Sequence, residues 1–284
     1  MVSTAEIATS DSCSLLGAYL TERLDPHPLF RPHLPHAARL VVGPVAFGAW
    51  DERSPLQLAL VLSDARRETL AAALQAHQLW DPAADYRVML PDREPFRRFP
   101  GAEIRVLSAS ELAQEFQFDL PVALWFWEHA AVRSDPDGVV ADQLREARGT
   151  FARRLNRIRC EHYYHFRRAR QDLLAPRLSP SRARTLLAIR LGETAREAMR
   201  LAFLADGIPY PGDHWLEWAA ERETRSGESL LAAVHALLAA DEASDLEHAG
   251  KVLRARVVHA LQQGGVSEPW LEQWWMWPAL GPAD

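Results

Sequence analysis

Cysteine and lysine are almost missing from this chain. Cys13 and Cys160 are its only cysteines and lie in unrelated contexts, so neither a disulfide framework nor a thiolate metal site is expected, and both read as reduced, structural thiols. Lys251 is the only lysine and every other basic residue is arginine, which we take as the codon composition of a GC-rich bacterial genome. No apolar run approaches the ~20 residues that a membrane-spanning helix needs, and Met1 to Ser14 has no charged-then-apolar secretory pattern. These absences give the expectation of a cytoplasmic protein with no membrane partner. Excess positive charge is missing too: 32 basic against 38 acidic residues leave −6, which removes the general electrostatic argument for a nucleic-acid partner. There is no Gly-x-Ser-x-Gly elbow, no Gly-x-x-x-x-Gly-Lys-Ser/Thr phosphate loop, no His-Glu-x-x-His and no Cys-x-x-Cys. His27, His33 and His36 are spaced by loop prolines and read as exposed, so no metal and no cofactor is expected.

At 284 residues and 48% hydrophobic, the chain can bury a substantial core. A first helix is expected over Ser12 to Leu24, then a Pro/His-rich connector to His36. Strand signals follow at Arg39 to Gly43, Leu56 to Leu62, Tyr86 to Leu90 and Glu103 to Leu107, with a helix at Ala65 to Leu79. After Leu107 the strand signal stops. Helices are expected at 109–114, 121–132, 139–174, 181–205, 228–240 and 244–263, broken at Asp135-Pro136-Asp137-Gly138, Pro176, Gly207 to Gly212 and Gly264-Gly265. The pattern predicts an α+β protein: a small mixed-sheet domain over 1–120, then an all-α helical-bundle domain over 121–284 with a Trp-rich tail.

Between Val42 and Leu58, an apolar strand is followed by Gly43, Gly48 and Ser54 and then by a second apolar strand. This stretch resembles the signature of the polymerase-β-like nucleotidyltransferases, a superfamily that includes antibiotic-modifying enzymes: strand, Gly-Ser, a second Gly, then Ser-Asp-x-Asp. Leu186 to Trp218, ending in Gly207-Ile208-Pro209-Tyr210-Pro211-Gly212-Asp213-His214-Trp215-Leu216, looks like the substrate-side helical domain of the same enzymes. The resemblance covers roughly Ser12 to Ala240. It implies a nucleotidyltransferase-like first domain whose alternate carboxylates on one strand hold divalent metals over a triphosphate. In this chain those positions are Pro55 and Gln57, and the family's phosphate-contacting serine is Pro44. Proline offers no ligand atom and an amide is a poor substitute for a carboxylate on Mg²⁺. The motif therefore reads as degenerate. Glu103 corresponds to the family's third acid, with Arg105 on its face by alternation as a local neutraliser; Asp51 and Glu52 sit in the intervening turn.

His162 interrupts the apolar stripe Phe151, Leu155, Ile158, Phe166, Ala169 and Leu173. Two readings stand: a core histidine bonded to a carbonyl, or a general acid/base in a cleft between the two halves, with Tyr163 and Glu161 beside it. The arginines from Arg153 to Arg170 read either as a solvated, salt-bridged face or as containing a subset, Arg167 among them, that holds an anion. Trp125 and Trp127 read as core, with Glu128 and His129 as polar groups facing the cleft, and Trp270, Trp274 and Trp277 fall on one face of the tail. The candidate catalytic residues are His162, Tyr163 and Glu103. The candidate ligand-binding residues are Arg105, Gln57, Ser54, Trp127, Glu128 and Arg167. The functional expectation is an interdomain cleft repurposed to bind, and to transform without metal, a small molecule of specialised bacterial metabolism. The alternatives are a pseudoenzyme that contacts a protein partner or itself through the Trp-rich tail, and a residual nucleotidyltransferase with relocated metal ligands.

Overall fold

The computed structural model describes residues 16–50, 54–80, 87–90, 102–173 and 180–276. Strand β1, Ala38–Val42, pairs antiparallel with β2, Leu56–Leu62. Strand β3, Arg87–Leu90, runs antiparallel to β4, Ala102–Ser108, which runs parallel to β2. A fifth strand, β5, Ala131–Ser134, pairs antiparallel with β1, giving the mixed order β3-β4-β2-β1-β5. β2 is apolar at nearly every position because it is central and covered on both faces, so its two alternating sets of side chains enter two different cores.

One core joins Leu56, Leu58, Leu60 and Leu62 to Ile104 and Val106, under Leu16, Phe30 and the α3 residues Leu70 and Leu74, α3 being Asp64–Ala76. Leu16 opens α1, 16–19, which runs into a π-helical turn at Leu20–Leu24; α2 is the four-residue Pro44–Phe47. The opposite core joins Ala59, Val61 and Leu107 to Leu112 of α4 (Ala109–Phe118), Trp127 of α5 (Leu120–Glu128) and Val140 of α6 (Val139–Leu173). Helix α4 begins with a reciprocal capping box: the Glu111 backbone N–H donates to the Ser108 hydroxyl at 3.0 Å, and the Ser108 backbone N–H donates to the Glu111 carboxylate at 2.7 Å.

The chain divides into two compact units, Met1–Arg148 and Gly149–Asp284, later than the expected 120/121 boundary. The second unit contains the rest of α6 with α7 (Pro180–Asp206), α8 (Leu216–Glu223), α9 (Gly227–Leu238) and α10 (Ala243–Gln263); α7, α9 and α10 pack on one another. Strands followed by helices make the architecture α+β, as the pattern predicts. The expected end of strand structure at Leu107 is corrected by β5: the helix predicted to Val132 stops at Glu128, and an exposed strand follows. His27 and His33 are half-buried, contrary to the expectation of exposure, and His27 packs edge-on against Phe30 at 5.1 Å. Among the described residues no helix is long and apolar enough to cross a membrane.

Central burial of β2 makes a direct stability prediction. Leu60→Ala removes a 1%-exposed side chain from the core, and we expect a loss of about 3 kcal/mol, read as a lower urea midpoint at unchanged slope. A loss within error of zero would show that this core is not packed as described.

Candidate functional site

In the first unit the parallel register sets Gln57 beside Glu103, on adjacent strands and the same face. The Gln57 Nε2 amide donates to Glu103 Oε2 at 2.7 Å, and Glu103 is 7% exposed. Gly43 has φ +71° and ψ −158°, a conformation open essentially to glycine alone, and a Cβ placed there would lie 1.8 Å from Gln57 Oε1. The Gln57 carboxamide therefore fills the notch over the first motif glycine, with Pro44 beginning the short α2 beside it and Gly48 closing α2 in the left-handed conformation. Among the described residues no group of three or more His, Cys, Asp or Glu side chains is placed to hold a metal ion. Asp51 and Glu52 lie outside the described residues.

Arg105 does not neutralise Glu103, which corrects the expectation from alternation. Its Nη2 donates to Glu115 Oε1 of α4 at 2.5 Å, and its guanidinium lies over the Phe126 and Trp127 rings at 5.6 and 5.7 Å. Glu115 Oε2 also accepts from Trp127 Nε1 at 2.8 Å, and Trp127 is 1% exposed, inside the core. Glu128 is ion-paired with Arg148. Ser54 is half-buried, and its carbonyl accepts from Trp50 Nε1 at 3.3 Å.

In the second unit His162 is not bonded to a backbone carbonyl. Its Nδ1 meets Glu197 Oε2 of α7 at 2.6 Å and its Nε2 meets the Tyr210 hydroxyl at 2.8 Å, with the two rings edge-on. Tyr163, expected beside His162, is fully buried and turned to another neighbourhood, where its hydroxyl donates to the Leu271 carbonyl at 3.0 Å and accepts from Arg167 Nη1 at 2.9 Å. Glu161 is exposed. Tyr210 and Glu197 are the residues that sequence reasoning missed. Tyr210 stands in the Gly/Pro-rich segment after α7, while Glu197 shares a helix face with Arg190, Glu193 and Arg200 at three- and four-residue spacing, a signal that was there to be read.

Burial pushes the Glu197 carboxyl upward, but the hydrogen bond and charge of His162, with the guanidiniums of Arg200 and Arg196, outweigh it and hold the carboxyl below its ordinary range. A cavity of about 410 Å³ lies here, walled by His162, Glu197, Arg190, Arg196, Arg200 and neighbours. Its α7 arginines are matched: Arg190 by Asp172 and Glu193, Arg196 and Arg200 by Glu197 and Asp213. The site thus holds a fixed imidazole in a balanced charge network. Cys160 is buried with its thiol pushed up to about 12 by burial and by nearby Glu268 and Glu161, so it is a structural thiol and no nucleophile at neutral pH. Cys13 lies outside the described residues.

No family model and no curated protein matches this chain. Among solved structures it is similar to the crystal structure of a nucleotidyltransferase-like protein from Exiguobacterium sibiricum 255-15, at a TM-score of 0.43 and 11% identity over 90% of this chain and 84% of that one.

The notch over Gly43 predicts a double-mutant result. Gly43→Ala costs about 1–3 kcal/mol for the backbone alone and more with Gln57 in place. In a Gln57→Ala background the same change costs less, though not zero; equal costs in both backgrounds, by urea denaturation, would show that Gln57 does not fill the notch. Glu197 predicts a pH dependence. Because its folded pKa lies below the ordinary 4.5, its pairing contributes stability that is fully present above 4.5 and is lost as pH falls through the folded value. Glu197→Gln therefore destabilises by about 2 kcal/mol near neutrality, and the gap from the wild type closes as pH falls below 4.5; a gap independent of pH would contradict the pairing.

Proposed function

We propose that this chain is a nucleotidyltransferase-like protein that has lost metal-dependent nucleotidyl transfer and binds a small molecule in its helical unit. The observation that carries the first half is the placement of Gln57: a neutral amide stands where the resemblance implies a metal-binding carboxylate, donates to the remaining acid Glu103 and fills the notch over Gly43. Pro55 supplies no ligand atom beside it. A carboxylate pair is what would hold Mg²⁺ against a triphosphate there, and one buried acid already bonded to an amide is not such a pair.

The location in the helical unit is supported by the arginine-lined cavities of that unit. His162 serves such a site as a positioning residue. With one ring nitrogen on Glu197 and the other on Tyr210, it links α6, α7 and the segment after α7, so it fixes the walls without offering a free nitrogen to a substrate proton.

The test is thermal unfolding of the purified protein with ATP, CTP, GTP or UTP, each with and without Mg²⁺. A ligand present at ~100 times its Kd stabilises by about 2.7 kcal/mol, so binding is visible as a higher Tm. We expect no magnesium-dependent rise with any of the four. A magnesium-dependent rise with one of them would overturn the proposal and restore nucleotidyl transfer as the reading.

A further inference from the structure

A second cavity in the helical unit, of about 600 Å³, is walled by Tyr163, Arg167, Arg254, His259, Glu272 and Trp275 together with small and apolar neighbours. It lies among α6, α10 and the two 3-10 turns of the tail, Pro269–Leu271 and Trp274–Met276. Its charge differs in kind from that of the His162 cavity. There every α7 arginine has a carboxylate within ion-pair distance; here neither Arg167 nor Arg254 has an ion-pair partner among the described residues, and Glu272 is the one carboxylate in the wall. Arg170 stands close behind. Burial lowers its pKa and the charges of Arg167 and Arg254 push it further the same way, while Tyr163 and Glu247 act in the opposite direction, so three guanidiniums share this neighbourhood with Glu247 and the wall residue Glu272. Three guanidiniums outnumber these two carboxylates, and a bound anion relieves the repulsion that remains.

Two further observations fix the kind of anion. The Arg167 guanidinium lies over the rings of Tyr163 and Trp274 at 5.7 and 5.2 Å, and its Nε is buried with no acceptor among the described residues. Stacking on two rings holds the guanidinium fork in one orientation, the arrangement that suits an anionic oxygen. Trp275 is 61% exposed, so a large aromatic face at the cavity wall stands open. Aromatic faces gain most from a flat partner.

We propose that this cavity binds a flat aromatic ring carrying a phosphate or carboxylate, the anion held by Arg167 and Arg254 and the ring lying against Trp275. This deepens the proposed function, resting on it for the idea that the ligand belongs to the helical unit. It leaves the sheet motif out of the site.

The test is isothermal titration of the full chain with naphthyl phosphate, naphthoate, naphthol and inorganic phosphate. We expect one or both naphthyl anions to bind, with naphthol and inorganic phosphate at least about tenfold weaker, because each lacks one half of the recognised group. Arg254→Gln and Trp275→Ala, both exposed positions, are each expected to weaken binding about tenfold or more without altering thermal unfolding of the free protein. No binding of either anion by the wild type, or equal binding by wild type and both variants, would overturn the proposal. Inorganic phosphate binding as tightly as naphthyl phosphate would overturn the ring half, and naphthol binding as tightly would overturn the anion half. The outcome is separable from that of the nucleotide experiment. A magnesium-dependent nucleotide shift that survives Arg254→Gln sinks the proposed loss of transfer and leaves this site standing, whereas loss of naphthyl-anion binding with no nucleotide shift does the reverse.

Discussion

The parallel pairing of β2 with β4 is the constraint on which the first unit depends. β2 is bonded on both sides, antiparallel to β1 and parallel to β4, and its two faces enter two different cores. A slip of one residue would exchange the side chains entering the two cores along the whole strand, putting leucines where Ala59 and Val61 pack, so the register is fixed by packing. That register sets position 57 level with position 103. Two carboxylates in such contact would repel unless a cation lay between them. A glutamine at 57 brings no second charge and donates an N–H to Glu103. Pro44 and Pro55 carry no backbone N–H, and neither Pro55 nor Gln57 brings a carboxylate to this end of β2.

In the helical unit the deciding quantity is charge matching. The long helix α6 and its partner α7 both carry many arginines, and an arginine count would treat them alike. The α7 set is neutralised by Asp172, Glu193, Glu197 and Asp213, and His162 is held between Glu197 and Tyr210 inside that network. Removing one partner of so interlocked a set leaves a half-buried charge alone, which is why such networks fix geometry even where their net contribution to stability is small. The set at Arg167 and Arg254 lacks these acids. Equal residue types in neighbouring places are therefore differently placed: one set is ion-paired between helices, and Arg167 and Arg254 have no ion-pair partner among the described residues.

Much of the fold was legible because burial writes its period into the chain. The continuous apolar run of β2 and the three-and-four spacing of α6, α7 and α10 gave those elements within a few residues. β5 left no such trace. It is a four-residue edge strand with Ala131, Val132 and Arg133 exposed, directly after an apolar helix, so no alternation separates it from that helix. The site was half legible. His162 was picked out because it breaks an apolar stripe, but its neighbour Tyr163 is turned roughly 100° around the helix and serves a different cavity. Its real partners lie 35 and 48 residues away, and nothing local to His162 names them. Alternation likewise showed that Glu103 and Arg105 share a face, yet not that α4 would bring Glu115 to the arginine first.

Position and chemistry therefore separate in this molecule. The positions of β1, β2 and β4 are fixed by the two cores that their side chains enter. Pro55 and Gln57 flank the buried Leu56 at the start of β2, and Gln57 is itself held by Glu103 and the notch over Gly43. Fold and function can then drift apart. Arg167 and Arg254 sit on α6 and α10 beside the buried Tyr163, Phe166, Leu253 and Val257, which hold these helices in place. A binding site carried on rigid helices can change its ligand by exchanging one or two exposed residues, whereas a metal site needs several ligands at once.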